Sequence, residues 1–302
     1  MELIEVTNLH KRYKDHVAVE DVSFSVGEGE IFGILGPNGA GKTTTVECVS
    51  GLRRRDGGGI RVAGLDPHRD RAGLRRILGA QLQSSQLHDQ IKVWEAMDLY
   101  ASFYPDPADW RELLDLVGLT AKRDTTFAKL SGGQRQRLSV ALALVGRPRI
   151  AVLDELTTGL DPQARRDMWE LVEAIRADGV TILLVTHFME EAERLCDRLA
   201  LIDGGKVVAT NSPAGLVAAV GQEQRVSFRP SKPVDEAILL ALPEVRAVER
   251  HGAQLVVSGT GNLAPAVTLA LAGHQIVPND LRIDQATLDD AFLALTGRKL
   301  AE

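Results

Sequence analysis

Three stretches of this chain carry apolar residues at nearly every position: "IFGILG" (31–36), "RIAVLDE" (149–155) and "VTILLVTH" (180–187). Continuous runs of this length predict strands covered on both faces, as in a parallel sheet packed between helices. A further strand-like stretch, "LIEVTNLHKRY" (3–13), opens the chain. The run at 31–36 leads into a predicted helix from about Lys42 to Ser50, with Gly51 as its C-terminal cap. Residues 84–128 read as mostly helical, with Val93, Met97, Tyr100 and Tyr104 at helical spacing. A helix over 162–177 separates the last two buried strands, and "LALIDGGKVVA" (199–209) predicts a hairpin turning on Asp203–Gly205.

The pattern then changes. "NSPAGLVAAVGQE" (211–223) is small, polar and glycine-containing, which marks a boundary. Beyond it the alternation predicts a strand at 225–229, a helix at 233–242, strands at 245–250 and 253–258, a helix at 263–272, a strand near 281–284 and a helix at 288–296. Thr287 caps that last helix, Asp290 takes the capping-box position, and Gly297 ends it. Leu288, Ala291, Phe292 and Leu295 share one apolar face. The expected organisation is α/β: a large domain over 1–220 and a small α+β domain over 221–302, a βαββαβα module.

Composition narrows the function classes. With 302 residues and 44% apolar side chains the chain can bury a full core. A net charge of −6 argues against a dedicated nucleic-acid binder, and the basic runs "RRR" (53–55) and "RDRAGLRR" (69–76) read as solvated faces. The two cysteines, Cys48 and Cys196, have no metal-ligand spacing and fit a reducing cytosol. Glu2, Glu5 and Lys11 interrupt any signal-peptide pattern. The apolar run "LSVALALV" (138–145) falls far short of the roughly 20 residues that span a bilayer. A membrane role would therefore run through a partner.

"GPNGAGKT" (36–43) fits the phosphate-binding P-loop pattern and lies between a predicted strand and a predicted helix, the context the pattern requires. The residues concerned are Gly36, Pro37, Asn38, Gly39, Ala40, Gly41, Lys42 and Thr43, followed by Thr44. Glycines let backbone N–H groups curl around a phosphate, and the helix N-terminus adds positive potential. Lys42 supplies a point charge to the β- and γ-phosphates, and the Thr43 hydroxyl is a ligand for Mg²⁺. Asp154 and Glu155 end one buried strand, and His187 ends another. All three then stand at the C-terminal edge of a sheet, where open α/β sheets bind ligands. Asp154 suits a metal ion, directly or through water, and Glu155 suits the orientation of an attacking water.

The P-loop, "LSGGQ" (130–134), "VLDE" (152–155), "GLD" (159–161) and His187 occur in an order that resembles the ATP-binding cassette (ABC) family over about residues 3–220. The resemblance implies a P-loop NTPase cassette with a mixed sheet core and a helical subdomain at about 84–145. It implies ATP and Mg²⁺ as cofactors, with Lys42, Glu155, His187 and Gln83 in catalysis, and Thr43, Gln83 and Asp154 at the metal. It also explains a second glycine-rich loop: Ser131, Gly132, Gly133, Gln134 and Asp161 serve the nucleotide of a second copy packed head to tail. By local match Tyr13 resembles the aromatic that stacks on adenine. Gln83 resembles the glutamine that reaches the magnesium site, with Gln81 and Gln86 as alternatives. The family usually has proline after the glutamate; this chain has Leu156, which leaves Glu155 less rigidly placed.

"IDQATLDDAFLALTGR" (283–298) is similar to the end of bacterial drug and antibiotic exporter ATPases of the daunorubicin-resistance type. The expected partners are a second copy and an integral membrane permease, with no nucleic acid, at the cytoplasmic face of the membrane. A soluble ABC ATPase acting on ribosomes or DNA, or an importer ATPase, is the alternative. Trp94, Met97, Tyr100, Phe103 and Tyr104 concentrate aromatic and apolar side chains; part of this cluster is expected in the core and part in a cleft for a permease helix.

Overall fold

A computed structural model of the chain describes residues 2–82, 87–220, 224–284 and 286–297. The chain divides at Pro213 and Ala214 into two compact units.

In the first unit, β1 (Glu2–Tyr13) and β2 (His16–Gly27) form an antiparallel hairpin, followed by β3 (Ile31–Leu35), α1 (Lys42–Val49), β4 (Gly57–Val62), α2 (Arg71–Ile77) and β5 (Leu78–Gln81). Then come α3 (Val93–Ala101), α4 (Trp110–Leu116), α5 (Gly132–Leu144), β6 (Ile150–Asp154), α6 (Pro162–Ala177), β7 (Thr181–Thr186), α7 (Met189–Leu195), β8 (Arg198–Asp203) and β9 (Lys206–Asn211), while α8 (Pro213–Ala219) starts at the boundary and runs into the second unit. One mixed sheet runs β4-β1-β2-β9-β8-β3-β7-β6-β5. The five strands from β8 to β5 are parallel. Every residue of β3, β6 and β7 is buried. This is why their sequences are apolar apart from Asp154 at the end of β6 and Thr181 and Thr186 at the two ends of β7: no position faces water. Because β7 lies between β3 and β6, the C-terminal ends of these three strands adjoin, and the segments that follow them meet in one place.

The expectation of a mostly helical 84–128 needs correction. Among its described residues, α3 and α4 are short and are followed only by single 3₁₀ turns at Thr120–Lys122 and Phe127–Lys129. Pro105 and Pro107 follow α3, and a proline inside a helix both removes a hydrogen bond and clashes with the preceding turn. Val93 and Met97 are fully buried on α3, whereas Tyr104 lies beyond the helix end. The apolar pattern alone also does not mark β2, β4, α2, β5, α7 and α8.

The second unit contains β10 (Gln224–Pro230), α9 (Glu236–Leu240), β11 (Val245–His251), β12 (Gln254–Gly259), α10 (Leu263–Gly273), β13 (Pro278–Asp284) and α11 (Leu288–Thr296). The sheet order is β11-β12-β10-β13 with all neighbours antiparallel, the split-βαβ arrangement of ferredoxin-like folds. Val226, Phe228, Leu239, Leu255, Val257, Leu263, Val267 and Leu271 form its core. On α11 the Thr287 hydroxyl accepts from the Asp290 N–H, the Asp290 carboxylate accepts from the Thr287 N–H, and Gly297 closes the helix at φ 74°.

Candidate functional site

β3 ends at Leu35, and the loop 36–41 turns directly into α1. Two glycines are sterically required here. A Cβ on Gly36 would lie 2.0 Å from the Ile202 carbonyl oxygen. One on Gly41 would lie 2.4 Å from the Ala18 carbonyl oxygen, and Gly41 has φ 98°. Asn38, Gly39 and Thr43 are exposed, Ala40 is buried, and Pro37 and Thr44 are half-buried. Lys42 is buried at the first position of α1, and its Nζ donates to the carbonyls of Gly36 (2.7 Å) and Pro37 (3.0 Å). The ammonium is thus folded back under its own loop.

Asp154 ends β6 and is fully buried, and neither carboxylate oxygen has a hydrogen-bond partner. Its backbone N–H donates to Gln81 Oε1 at 3.0 Å, so the side chain at the end of β5 pins the end of β6. Burial pushes the Asp154 pKa up to about 6, reinforced by Glu155, with Lys42 opposing. Burial likewise lowers the Lys42 pKa, opposed by Glu155 and Asp154. Both shifts have one cause: two charged groups in a poorly hydrated cleft without a counterion in contact. A triphosphate would restore the charge on Lys42, and a cation would restore that on Asp154. An orphaned buried carboxylate fits a Mg²⁺ ligand.

Glu155 adopts φ 51° directly after the strand, so the chain turns sharply and its side chain leaves the sheet edge. The Glu155 N–H donates to the Val185 carbonyl at 2.9 Å, tying the turn to β7. Its Oε1 lies 3.3 Å from His187 Nδ1, both side chains being largely enclosed. Gln136 Nε2 donates to the Glu155 carbonyl at 3.4 Å, a contact with no signal in the sequence. Leu156 is fully buried. Packing of its side chain restrains the segment where the family's proline would restrain it by its ring.

The second group is built around two helix starts. Ser131 caps α5 in a capping box with Gln134, and Asp161 caps α6 by accepting from the Gln163 and Ala164 N–H groups. Those backbone bonds hold the Asp161 carboxyl below its usual range. A Cβ on Gly133 would lie 3.6 Å from Leu160, so the 130–134 turn and the 159–161 turn are neighbours. Gly132 has nothing within 4 Å of its Cβ position and is open to an incoming ligand. Tyr13 ends β1 with Lys11 and Arg53 at 5.3 and 5.4 Å from its ring centroid. Gln83 and Gln86 lie outside the described residues.

A family model described as "ABC transporter" matches residues 19–158. The chain is 40% identical over 306 residues to the Nod factor export ATP-binding protein I of Burkholderia pseudomallei, covering 99% of this chain and 98% of that one. It is 33% identical over 312 residues to the linearmycin resistance ATP-binding protein of Bacillus subtilis, covering 99% and 100%. Among solved structures, an ATP-binding subunit of an ABC transporter superposes with TM-score 0.65 at 29% identity, over 72% of this chain and 92% of that one. A dimeric ATP-binding cassette in a post-hydrolysis state bound to ADP and Pi superposes with TM-score 0.63 at 25% identity, over 69% and 98%. With similarity running over nearly its whole length, and with a P-loop, an acidic strand end and a second glycine-rich helix start in place, the chain belongs to the ABC transporter family as one of its ATP-binding, ATP-hydrolysing subunits.

Proposed function

We propose that this subunit hydrolyses ATP with Mg²⁺ at the cleft between the P-loop and the ends of β6 and β7, and that it powers export through a separate membrane permease. The observation that supports this best is the buried Asp154 carboxylate without a partner, beside the Glu155–His187 pair. Mg²⁺, when bound, supplies charge neutralisation for the β- and γ-phosphates. Thr43 and Asp154 would hold it, the orphaned Asp154 carboxylate supporting this, with Gln83 assigned there by sequence match. Lys42 leaves the Gly36 and Pro37 carbonyls for the phosphates. Glu155 accepts a hydrogen bond from the attacking water and draws off its proton as the γ-phosphorus–oxygen bond to ADP breaks. His187 holds the Glu155 carboxylate toward that water.

Tyr13, flanked by two cations, stacks on the adenine. Ser131, Gly132, Gly133, Gln134 and Asp161 form an anion site for the γ-phosphate held by a second copy. The first unit is the cassette and the second an accessory domain. Export is favoured because relatives matched end to end are named for Nod factor export and linearmycin resistance. No helix among the described residues is long and apolar enough to cross a membrane; the proposed location is the cytoplasmic face, through the permease.

The test is Glu155→Gln. Its amide keeps the shape and loses the base, so turnover should fall by about 10²–10⁴, or about 3–5 kcal/mol. Equilibrium binding should show ATP affinity retained. Hydrolysis near the wild-type rate would overturn the role given to Glu155.

A further inference from the structure

Neither carboxylate oxygen of Asp154 has a hydrogen-bond partner among the described residues, so no polar contact orients the carboxylate itself. Its place is set by packing and by the backbone that carries it. That backbone is tied on two sides. Toward β7, Asp154 pairs with Val185, and the N–H of the next residue donates to the Val185 carbonyl at 2.9 Å. Toward β5 the paired stretch ends one position earlier, at Gln81 and Leu153. There the Asp154 N–H donates to the Gln81 side chain, with Oε1 at 3.0 Å. One of the two ties is therefore made by a side chain, and a substitution removes it without touching Asp154.

Gln81 is itself buried, with 3% of its surface exposed. A buried amide costs free energy that an apolar side chain of the same length would not. What the amide supplies here is an acceptor for one N–H. Its Nε2 faces the Leu82 carbonyl at 3.4 Å, which leaves the oxygen turned to Asp154. A shift of the Asp154 backbone carries the carboxylate with it. Mg²⁺ demands near-ideal octahedral geometry, and a ligand displaced by more than about 0.2 Å no longer meets it. The hold on this one N–H therefore bears on how well the cleft takes a cation.

We propose that Gln81 is a positioning residue for Asp154, fixing the carboxylate for the cation by holding the N–H behind it. This rests on the role given to Asp154 above. The Gln81 oxygen is engaged by that N–H, so Gln81 acts through Asp154 and not as a ligand.

The test is the cation affinity of the full chain bound to a non-hydrolysable ATP analogue, with Mn²⁺ as the probe, followed by electron paramagnetic resonance. Gln81→Met keeps the length and volume of the side chain and removes the acceptor. It should weaken Mn²⁺ binding by about tenfold, the lower end for loss of a group that orients a metal ligand. ATP affinity in EDTA, where no cation takes part, should stay within about twofold of wild type. In an Asp154→Asn background Gln81→Met should change Mn²⁺ affinity hardly at all, because the group it positions is gone. If Gln81→Met does not fold, Gln81→Asn replaces it in the cycle, since it keeps the amide and withdraws the oxygen by one methylene. Unchanged Mn²⁺ affinity, an equal fold-loss in both backgrounds, or a matching loss of ATP affinity in EDTA would overturn the proposal. If Asp154→Asn alone leaves Mn²⁺ affinity intact, the reading of Asp154 fails instead, and the two failures are distinct.

Discussion

At the scale of single residues, the P-loop places the strictest demand on identity. Gly41 combines φ 98° with a backbone carbonyl 2.4 Å from where a Cβ would sit. An alanine there would be strained by its dihedral and would push against Ala18, which belongs to β2 and cannot yield without moving the hairpin. Gly41→Ala should therefore weaken ATP binding at least about tenfold and destabilise the fold by about 1–3 kcal/mol. Nucleotide titration and urea unfolding measure the two effects separately. Residues of this kind are legible because their constraint is local: a fixed spacing of glycines before a lysine has one dominant physical reading. Asp154, Glu155 and His187 were legible for a related reason, as polar residues ending apolar runs. Gln81 and Gln136 were not. Each acts by contact with a segment far away in sequence, and a single sequence does not display such contacts.

At the scale of elements, the same contrast holds. The strands β3, β6 and β7 were legible because full burial makes their interior positions apolar, with polar residues only at strand ends, and α6 and α11 because their caps sit at both periodic and chemical boundaries. β2 was missed because it alternates and is bulged: its pairing with β1 shifts register four times. β4 begins with three glycines, which read as a turn, yet Gly58 lies against the Thr7 and Asn8 carbonyls and the glycines allow that approach. The aromatic cluster on α3 and just beyond it divides between core and surface. Met97 is fully buried, while Phe103 is 67% and Leu99 47% exposed, with the Phe103 ring 5.9 Å from that of Tyr100. Tyr104 packs over Gly146, where a Cβ would fall 2.3 Å from its ring. Phe103→Ser should leave folding and ATP turnover of the isolated subunit unchanged and reduce co-purification with the permease. An exposed aromatic beside a helix end adds little to the core, and under the proposed function it would line a groove for a permease helix. Unchanged co-purification of a folded, active Phe103→Ser subunit would overturn this role for Phe103.

At the scale of the whole molecule, the two glycine-rich clusters pose the question of how many chains make one site. In one chain the first cluster gathers Lys42, Asp154 and Glu155. The second is a pair of capped helix starts whose open face, at Gly132, has no occupant from its immediate surroundings. If each serves a neighbour, complementation between two dead variants reports it. Lys42→Ala disables the first cluster, and Ser131→Arg blocks the second, so either variant alone should be inactive. In a mixed dimer one composite site combines both defects, and the other combines two intact halves. About half of randomly assorted dimers are mixed and each has one of two sites intact, so ATPase activity should return to at most about a quarter of wild type. If each chain used its own 130–134 loop, no combination would contain an intact site and mixing would restore nothing. The two mechanisms therefore differ in sign rather than degree. Should the two sites need each other for turnover, ATP-dependent dimerisation of the mixture, followed by light scattering, still separates them, because one intact composite site suffices to hold nucleotide between two chains.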